Sequence, residues 1–369
     1  MEVYNWQKKD WLSFRYSLRN AEDELLLLAE KTGKISGAVN ALPENLKTET
    51  LIDIIVSEAI KTSEIEGEYM NRQDVMSSIK NNLGLNAKPE KVKNKKADGI
   101  GQLMIDVRNS YKEPLTQEKL FAWHKMLFMG SSDVLTGAWR THKEPMQVVS
   151  GALGKQKVHY EAPPSSRVAK EMKGFIKWFN DTAPGGSNEI KKAAVRSAIA
   201  HLYFETIHPF EDGNGRIGRA IAEKALSQGL GRPVLISLSR TIEANKKDYY
   251  AALGKAQRSN EITAWITWFI HTVLAAQTES EAQIEFTLKK AKFFDRYKKQ
   301  LNDRQLKVVK RMLDEGPDGF EGGMNAGKYS SLAKVSKATA TRDLQALVET
   351  GAFVPFGGGR STKYKLNVV

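Results

Sequence analysis

The chain has 369 residues, 41% hydrophobic and 27% charged, with no cysteine and a formal charge of +13. That length predicts two or three domains of ordinary globular composition, and no apolar run approaches the ~20 residues of a membrane span. Without cysteine there are no disulfides or thiolate metal sites, and the polar start MEVYNWQKKDW is no secretory signal, so a reducing, cytoplasmic setting is expected.

The opening segment gathers Trp6, Trp11, Phe14 and Tyr16 before a leucine-rich run at 21–30, and reads as helical to about Pro43. Residues 49–66 form an amphipathic helix, with Leu51, Ile55 and Ala59 beside Ile52, Val56 and Ile60 on one stripe and Gly67 as its stop. Its end carries Glu64, Glu66 and Glu68, where a helix dipole favours cations, so a carboxylate buried there needs a cation from elsewhere. The lysine- and asparagine-rich 82–97 reads as an exposed connector. Helices are predicted at 99–110 and 116–128. Short extended runs at 146–149 and 158–162, around a basic Gly-containing turn at 150–157, predict a β-hairpin, which could pair edge to edge with an extended peptide. Further helices are predicted at 166–180, 190–207, 216–228, 243–256 and 262–277, then a charged helical linker at 278–300. From Asn302 three helices precede extended runs at 353–356 and 362–366, the order of a winged helix-turn-helix. Residues 289–369 hold 17 Lys/Arg against 8 Asp/Glu. Lys337, Thr341, Arg342 and Gln345 face away from the predicted core stripe, and Arg360, Lys363 and Lys365 lie on the wing, which suits phosphate contact. Such domains also serve dimer or protein contacts, and both readings stay open.

The densest chemistry lies at His208–Arg219, HPFEDGNGRIGR. Pro209 forces His208 out of helical geometry, and His208 is the natural base at neutral pH. Gly213 and Gly215 leave backbone amides open to an anion at the start of the next helix. Arg216 and Arg219 lie one turn apart and can grip one ligand, while Asp212 is a hard-oxygen ligand suited to Mg²⁺ beside phosphates. Taken singly, each has a structural explanation; together in twelve residues they point to phosphate chemistry. A zinc site is disfavoured because only His201 is near, and no P-loop sequence is present.

HPFEDGNGRIGR matches the signature HxFx(D/E)GNGRxxR of Fic-domain proteins at every fixed position, and the resemblance extends over about Gly99–Gln277. The segment TSEIEGE matches the inhibitory motif (S/T)xxxE(G/N) through Thr62, Glu66 and Gly67. The chain thus resembles the subclass with an N-terminal inhibitory helix and a C-terminal winged-helix domain. The resemblance implies a mainly α fold: a Fic-type helical bundle with a β-hairpin flap, plus a winged helix-turn-helix. It divides the chain into an N-terminal helical region (1–97), the catalytic core (98–277), a helical linker (278–300) and the winged-helix domain (301–369).

It also implies protein adenylylation: AMP passes from ATP to a Ser, Thr or Tyr hydroxyl of a target protein. His208 would take the hydroxyl proton, Asp212 would hold Mg²⁺, Gly213, Asn214 and Gly215 would line the anion hole, and Arg216 and Arg219 would bind the outer phosphates. Tyr249 and Tyr250 resemble the tyrosines near the nucleotide base, and Gln257 stands where several relatives have asparagine. Val158, His159 and Tyr160 of the flap would dock the target as an added strand, and Glu66 would pair with Arg219 to disfavour the productive ATP pose. The implied partners are that target protein, DNA at the winged helix, and a second copy of the chain. The alternatives are another phosphate donor or AMP removal on the same scaffold, or a DNA-binding regulator that uses the core as a nucleotide sensor.

Overall fold

The computed structural model describes residues 3–131, 134–150, 157–315 and 319–368. Its internal contacts divide the chain into two units, one of residues 1–36 and 51–278, the other of 37–50 and 279–369.

The chain forms helices α1 (Glu22–Asn40), α2 (Glu44–Ile65), α3 (Arg72–Asn82), α4 (Lys95–Asn109) and α5 (Gln117–Leu127), then the antiparallel pair β1 (Gln147–Ser150) and β2 (Lys157–Glu161). It continues with α6 (Ser165–Asp181), α7 (Ala193–Ile207), α8 (Asn214–Leu230), α9 (Leu238–Ala244), α10 (Lys246–Ala256) and α11 (Thr263–Tyr297). The first unit is built around α7 and α8. Every residue of α7 from Ala194 to Ile207 is buried, as is nearly all of α8, so this hairpin is the spine and not an amphipathic wall. On one side it meets a core that includes Ile55, Val56, Ala59, Ile100, Leu103, Trp123 and Phe175; on the other, one that includes Ile242, Tyr249, Trp265, Ile266 and Phe269.

Residues 4–20 differ from the helical expectation: apart from a short turn at Asn5–Gln7, they run without helix. Their backbone is satisfied along the 257–262 segment, through Asn5 N–H to Gln257 O (2.8 Å) and Arg15 N–H to Asn260 O (2.7 Å). The aromatic residues explain the path, because Trp6 donates to Glu161 O at 2.8 Å and Trp11 donates to the Glu171 carboxylate at 3.0 Å. Helix α3 was not anticipated; Asn71 caps it through Gln73 N–H. The helix expected at 243–256 is two, α9 and α10, with Asn245 between them, and the expected linker is the continuation of α11. The hairpin's turn, 151–156, lies outside the described residues.

The second unit contains α12 (Asp303–Leu313), α13 (Ala326–Ala333), α14 (Lys337–Glu349) and the antiparallel pair β3 (Phe353–Phe356) and β4 (Lys363–Leu366). Asn302 and Ser336 cap α12 and α14 through side-chain bonds to Gln305 N–H and Thr339 N–H. Val308, Val309, Met312, Leu344, Leu347 and Phe353 pack with Phe293 and Tyr297 of α11. The buried Asp343 ties three helices together, accepting from Tyr329 Oη at 3.0 Å and from Arg304 at 3.2 Å.

Candidate active site

The motif occupies the link between α7 and α8, where a buried hairpin must turn. His208 closes α7 in the left-handed region (φ 49°, ψ 60°), donating its N–H to Phe204 O. A non-glycine residue keeps that conformation only when its surroundings enforce it. Arg140 does so: its Nε donates to His208 O at 2.8 Å, its Nη2 donates to Pro163 O and to Ile207 O, and its backbone N–H donates to Pro209 O. Asn214 closes the loop from the other side, accepting from Phe210 N–H at 2.9 Å and donating to Phe210 O at 2.8 Å. His124 braces the turn as well. Its Nδ1 accepts from Gly137 N–H at 3.0 Å, which leaves Nε2–H to donate to Asp212 O at 3.1 Å, and its ring stacks on Phe210. Burial lowers the His124 pKa to about 4, so this neutral tautomer persists.

Gly213 caps α8 with φ 79°, and a Cβ there would meet Leu127 Cδ2 at 2.7 Å. The first bond of α8 runs from Ile217 N–H to Gly213 O, so the amides of residues 214–216 have no acceptor in the helix. Asp212 is 59% exposed beside this turn, its Oδ1 accepting Gly213 N–H. His208 is mostly buried, and burial, then the Arg140 charge, lowers its pKa to about 4. It is therefore neutral at physiological pH. Its Nδ1 has no hydrogen-bond partner and lies 3.7 Å from a Glu205 carboxylate oxygen. Burial raises the Glu205 carboxyl to about 8.

The two arginines are almost wholly buried, 2% exposed at Arg216 and 1% at Arg219, and both meet the end of α2. Arg219 donates from Nε to Thr62 Oγ1 at 2.7 Å, and from Nη2 to Thr62 O and to Glu66 Oε1, both at 2.8 Å. Burial opposes the Arg219 charge, and Glu66 more than restores it. Burial likewise opposes the Glu66 charge, but Arg219, then Arg216 and Lys246, hold its carboxyl below the usual range. Gly215 makes room for this pair, since a Cβ there would meet Glu66 Oε1 at 2.2 Å. Arg216 bonds instead to Glu68.

The remaining expected site residues separate into inner and outer positions. Tyr249 is buried and its hydroxyl bonds to His201 Nε2 at 2.9 Å, which places His201 in the core. Tyr250 is 41% exposed, its ring 5.0 Å from that of Tyr249. Gln257 is buried and donates to Glu205 O at 3.3 Å. On the flap Val158 and His159 are exposed, but Tyr160 faces inward, its hydroxyl bonded to Thr206 O and its ring against Tyr4. The Tyr160 side chain therefore tethers the flap to the end of α7. Arg140, His124 and Glu205 were not singled out from the sequence, because their partners lie far along the chain or in main-chain carbonyls.

Residues 114–226 match the Fic/DOC family, and residues 4–85 match a domain of unknown function, DUF4172. The chain carries a Fic domain. It is 30% identical over 89 residues to the protein adenylyltransferase fic-1 of Caenorhabditis elegans, and 26% identical over 147 residues to a probable protein adenylyltransferase of Aquifex aeolicus. Those matches cover 24% and 40% of this chain and span 16% and 38% of the relatives' lengths. A Fic family protein of Desulfovibrio desulfuricans has the same fold with a TM-score of 0.53 at 21% identity, over 93% of this chain and 96% of that one.

Proposed function

We propose that this chain transfers AMP from ATP to a hydroxyl group of a target protein, and that the structure corresponds to its inhibited state. The observation that carries the reading is the α7–α8 turn. There a neutral histidine, unpartnered helix amides and two buried arginines converge, and the arginines are held by carboxylates in place of phosphates. Relatives named protein adenylyltransferase support the same chemistry.

In this reading His208 accepts the proton of the attacking hydroxyl as oxygen bonds to the α-phosphorus and pyrophosphate departs. Arg140 keeps the imidazole over the turn by fixing the carbonyls on either side of it. The amides of residues 214–216 face the phosphates, and Arg216 and Arg219 compensate the charge of the leaving pyrophosphate. Asn214 shapes the turn; its side chain is committed to Phe210. Asp212, an exposed hard-oxygen donor beside the turn, would hold Mg²⁺ delivered with the nucleotide. The ion would neutralise phosphate charge there. Glu66 blocks this arrangement by holding Arg219, with Thr62 supporting the grip.

The deciding experiment incubates the Glu66→Gly form with α-labelled or γ-labelled ATP and protein substrates. Label retained from the α position alone is expected; label from the γ position alone would sink the reading.

A second activity is proposed for the other unit. Lys337, Thr341, Arg342 and Gln345 of α14 and Lys365 of β4 are exposed, as a winged helix needs for contact with DNA phosphates. Binding to duplex DNA that weakens steeply with salt is expected, and no binding at low salt would remove this activity.

A further inference from the structure

Glu68 lies outside the segment Thr62–Gly67, yet it holds the arginine that Glu66 leaves free. The backbone explains how. Gly67 is left-handed (φ 79°), with Gly67 N–H bonded to Glu64 O and Glu68 N–H to Ser63 O, both at 3.0 Å. This is a Schellman ending, which reverses the chain straight after the helix. The reversal presents Glu66 and Glu68 to two residues one turn apart on α8. Glu66 takes Arg219 at 2.8 Å, and Glu68 Oε2 takes Arg216 Nη1. The other oxygen of Glu68 accepts from Lys96 Nζ at 3.0 Å, at the start of α4.

We propose that Arg216 and Lys96 form an anion subsite for the terminal phosphate of the nucleotide, and that Glu68 occupies it as a second inhibitory carboxylate. The proposal rests on the nucleotide reading above. A surface ion pair would carry little energy, and the Lys96 side, 48% exposed, is of that kind. The Arg216 side is not. Its guanidinium is buried over the Phe128 ring, its Nε has no partner, and Asp212 is 3.7 Å from Nη2, beyond hydrogen-bond reach. Removing Glu68 leaves this buried cation with only the longer ion pair to the exposed Asp212 and without the carbonyl acceptors that satisfy the equally buried Arg140, a position that favours another anion. A carboxylate with one oxygen on each of two cations meets the same demand as two oxygens of a phosphate. The unpartnered amides of residues 214–216 open α8 on the turn that carries Arg216. Lys96 becomes a nucleotide-binding residue once Glu68 leaves, and inhibition has two contacts in place of one.

The test measures ATP and AMP affinity calorimetrically for the full chain and for Glu68→Gln, Glu66→Gly, Glu66→Gly/Glu68→Gln, and that double variant with Lys96→Gln. Glu68→Gln preserves the backbone ending, because the bond to Ser63 O comes from the main chain. It is expected to tighten ATP by about three- to tenfold while leaving AMP unchanged, because AMP lacks the terminal phosphates. The double variant should exceed Glu66→Gly by a similar factor, and Lys96→Gln should then weaken ATP about threefold without moving AMP. If Glu68→Gln leaves ATP affinity unchanged, or the double variant equals Glu66→Gly, Glu68 only steadies the end of α2 and the subsite is overturned. That result leaves the nucleotide reading intact if Glu66→Gly still binds ATP. Failure of every variant, including Glu66→Gly, to bind ATP would overturn both.

Discussion

The chain has two basic regions of opposite physical character. At the α7–α8 turn, Arg216 and Arg219 are buried, and each is committed to a carboxylate from the end of α2. On α14 and β4, Lys337, Arg342, Lys363 and Lys365 make no ion pair among the described residues, and all but the half-buried Lys363 are exposed. Positive charge alone does not distinguish the two, since the exposed region contributes to the larger net excess. Burial does. A buried guanidinium needs its donors filled, by main-chain carbonyls at Arg140 but by carboxylates at Arg216 and Arg219, and it is the carboxylate partners that mark the latter pair as suited to an anionic ligand. A solvated lysine specifies only that its ligand is negative, and does so through salt-screened attraction.

The contrast can be broken or sharpened in descending order of effect. His208→Ala should lower protein labelling by about 10²–10⁴-fold, the usual worth of a general base, while Lys337→Gln/Arg342→Gln leaves labelling untouched. Radiolabel incorporation with both variants checks this; loss in the α14 variant would mean the regions are not independent in function. Glu66→Gly should raise ATP affinity about tenfold, the usual scale of a coupled inhibitory contact, with Arg219 still held by Thr62. An unchanged affinity would show that the Glu66–Arg219 pair is structural only. At the exposed region, DNA affinity should fall linearly with salt on logarithmic axes, and Lys337→Gln/Arg342→Gln should reduce the slope by about two. A slope unaffected by both changes would move the DNA contact off α14.

Two smaller effects come from the buried titrating groups. Because the His208 pKa is lowered to about 4, the rate per unit substrate should show no acid limb between pH 8 and pH 6, where an ordinary histidine would lose activity. Appearance of a limb near the usual histidine value would mean the imidazole is solvated in the free enzyme. Glu205 shifts in the other direction, its burial pushing the carboxyl up to about 8 from the ordinary glutamate range. The native state therefore keeps a proton that the unfolded chain loses, and this stability, complete below the unfolded value, disappears as pH rises through the folded one. Thermal unfolding should thus show a larger loss from pH 5 to pH 8 in the parent than in Glu205→Gln.

Much of the candidate site at the α7–α8 turn was legible because its chemistry is local. His208, Asp212, the two glycines and both arginines lie within one turn and the first helical turn after it, so spacing alone sets their reach. The end of α2 was legible in part: carboxylates at a helix C-terminus are out of place, and Glu66 was matched to Arg219. That Glu68 takes Arg216 could not be read off, since it depends on the reversal at Gly67. Arg140 and His124 gave no signal. Each works by hydrogen bonds to main-chain atoms of the loop, and a carbonyl acceptor leaves no trace in residue type. The inward turn of the Tyr160 side chain was hidden for a related reason. Alternation in a short strand does not say which face is buried until the flap has something to pack against.

Composition and spacing by themselves determined that the chain is mostly helical, that histidine, acid, glycines and arginines gather in one turn between two helices, and that its basic excess gathers toward the C-terminus. These depend on interactions within a few residues, where helical period and backbone preference act directly. Tertiary structure decided which charges are buried, which carboxylate meets which arginine, and which aromatic residues face inward. Those outcomes rest on desolvation and on contacts across more than a hundred residues, and neither is encoded at any single position.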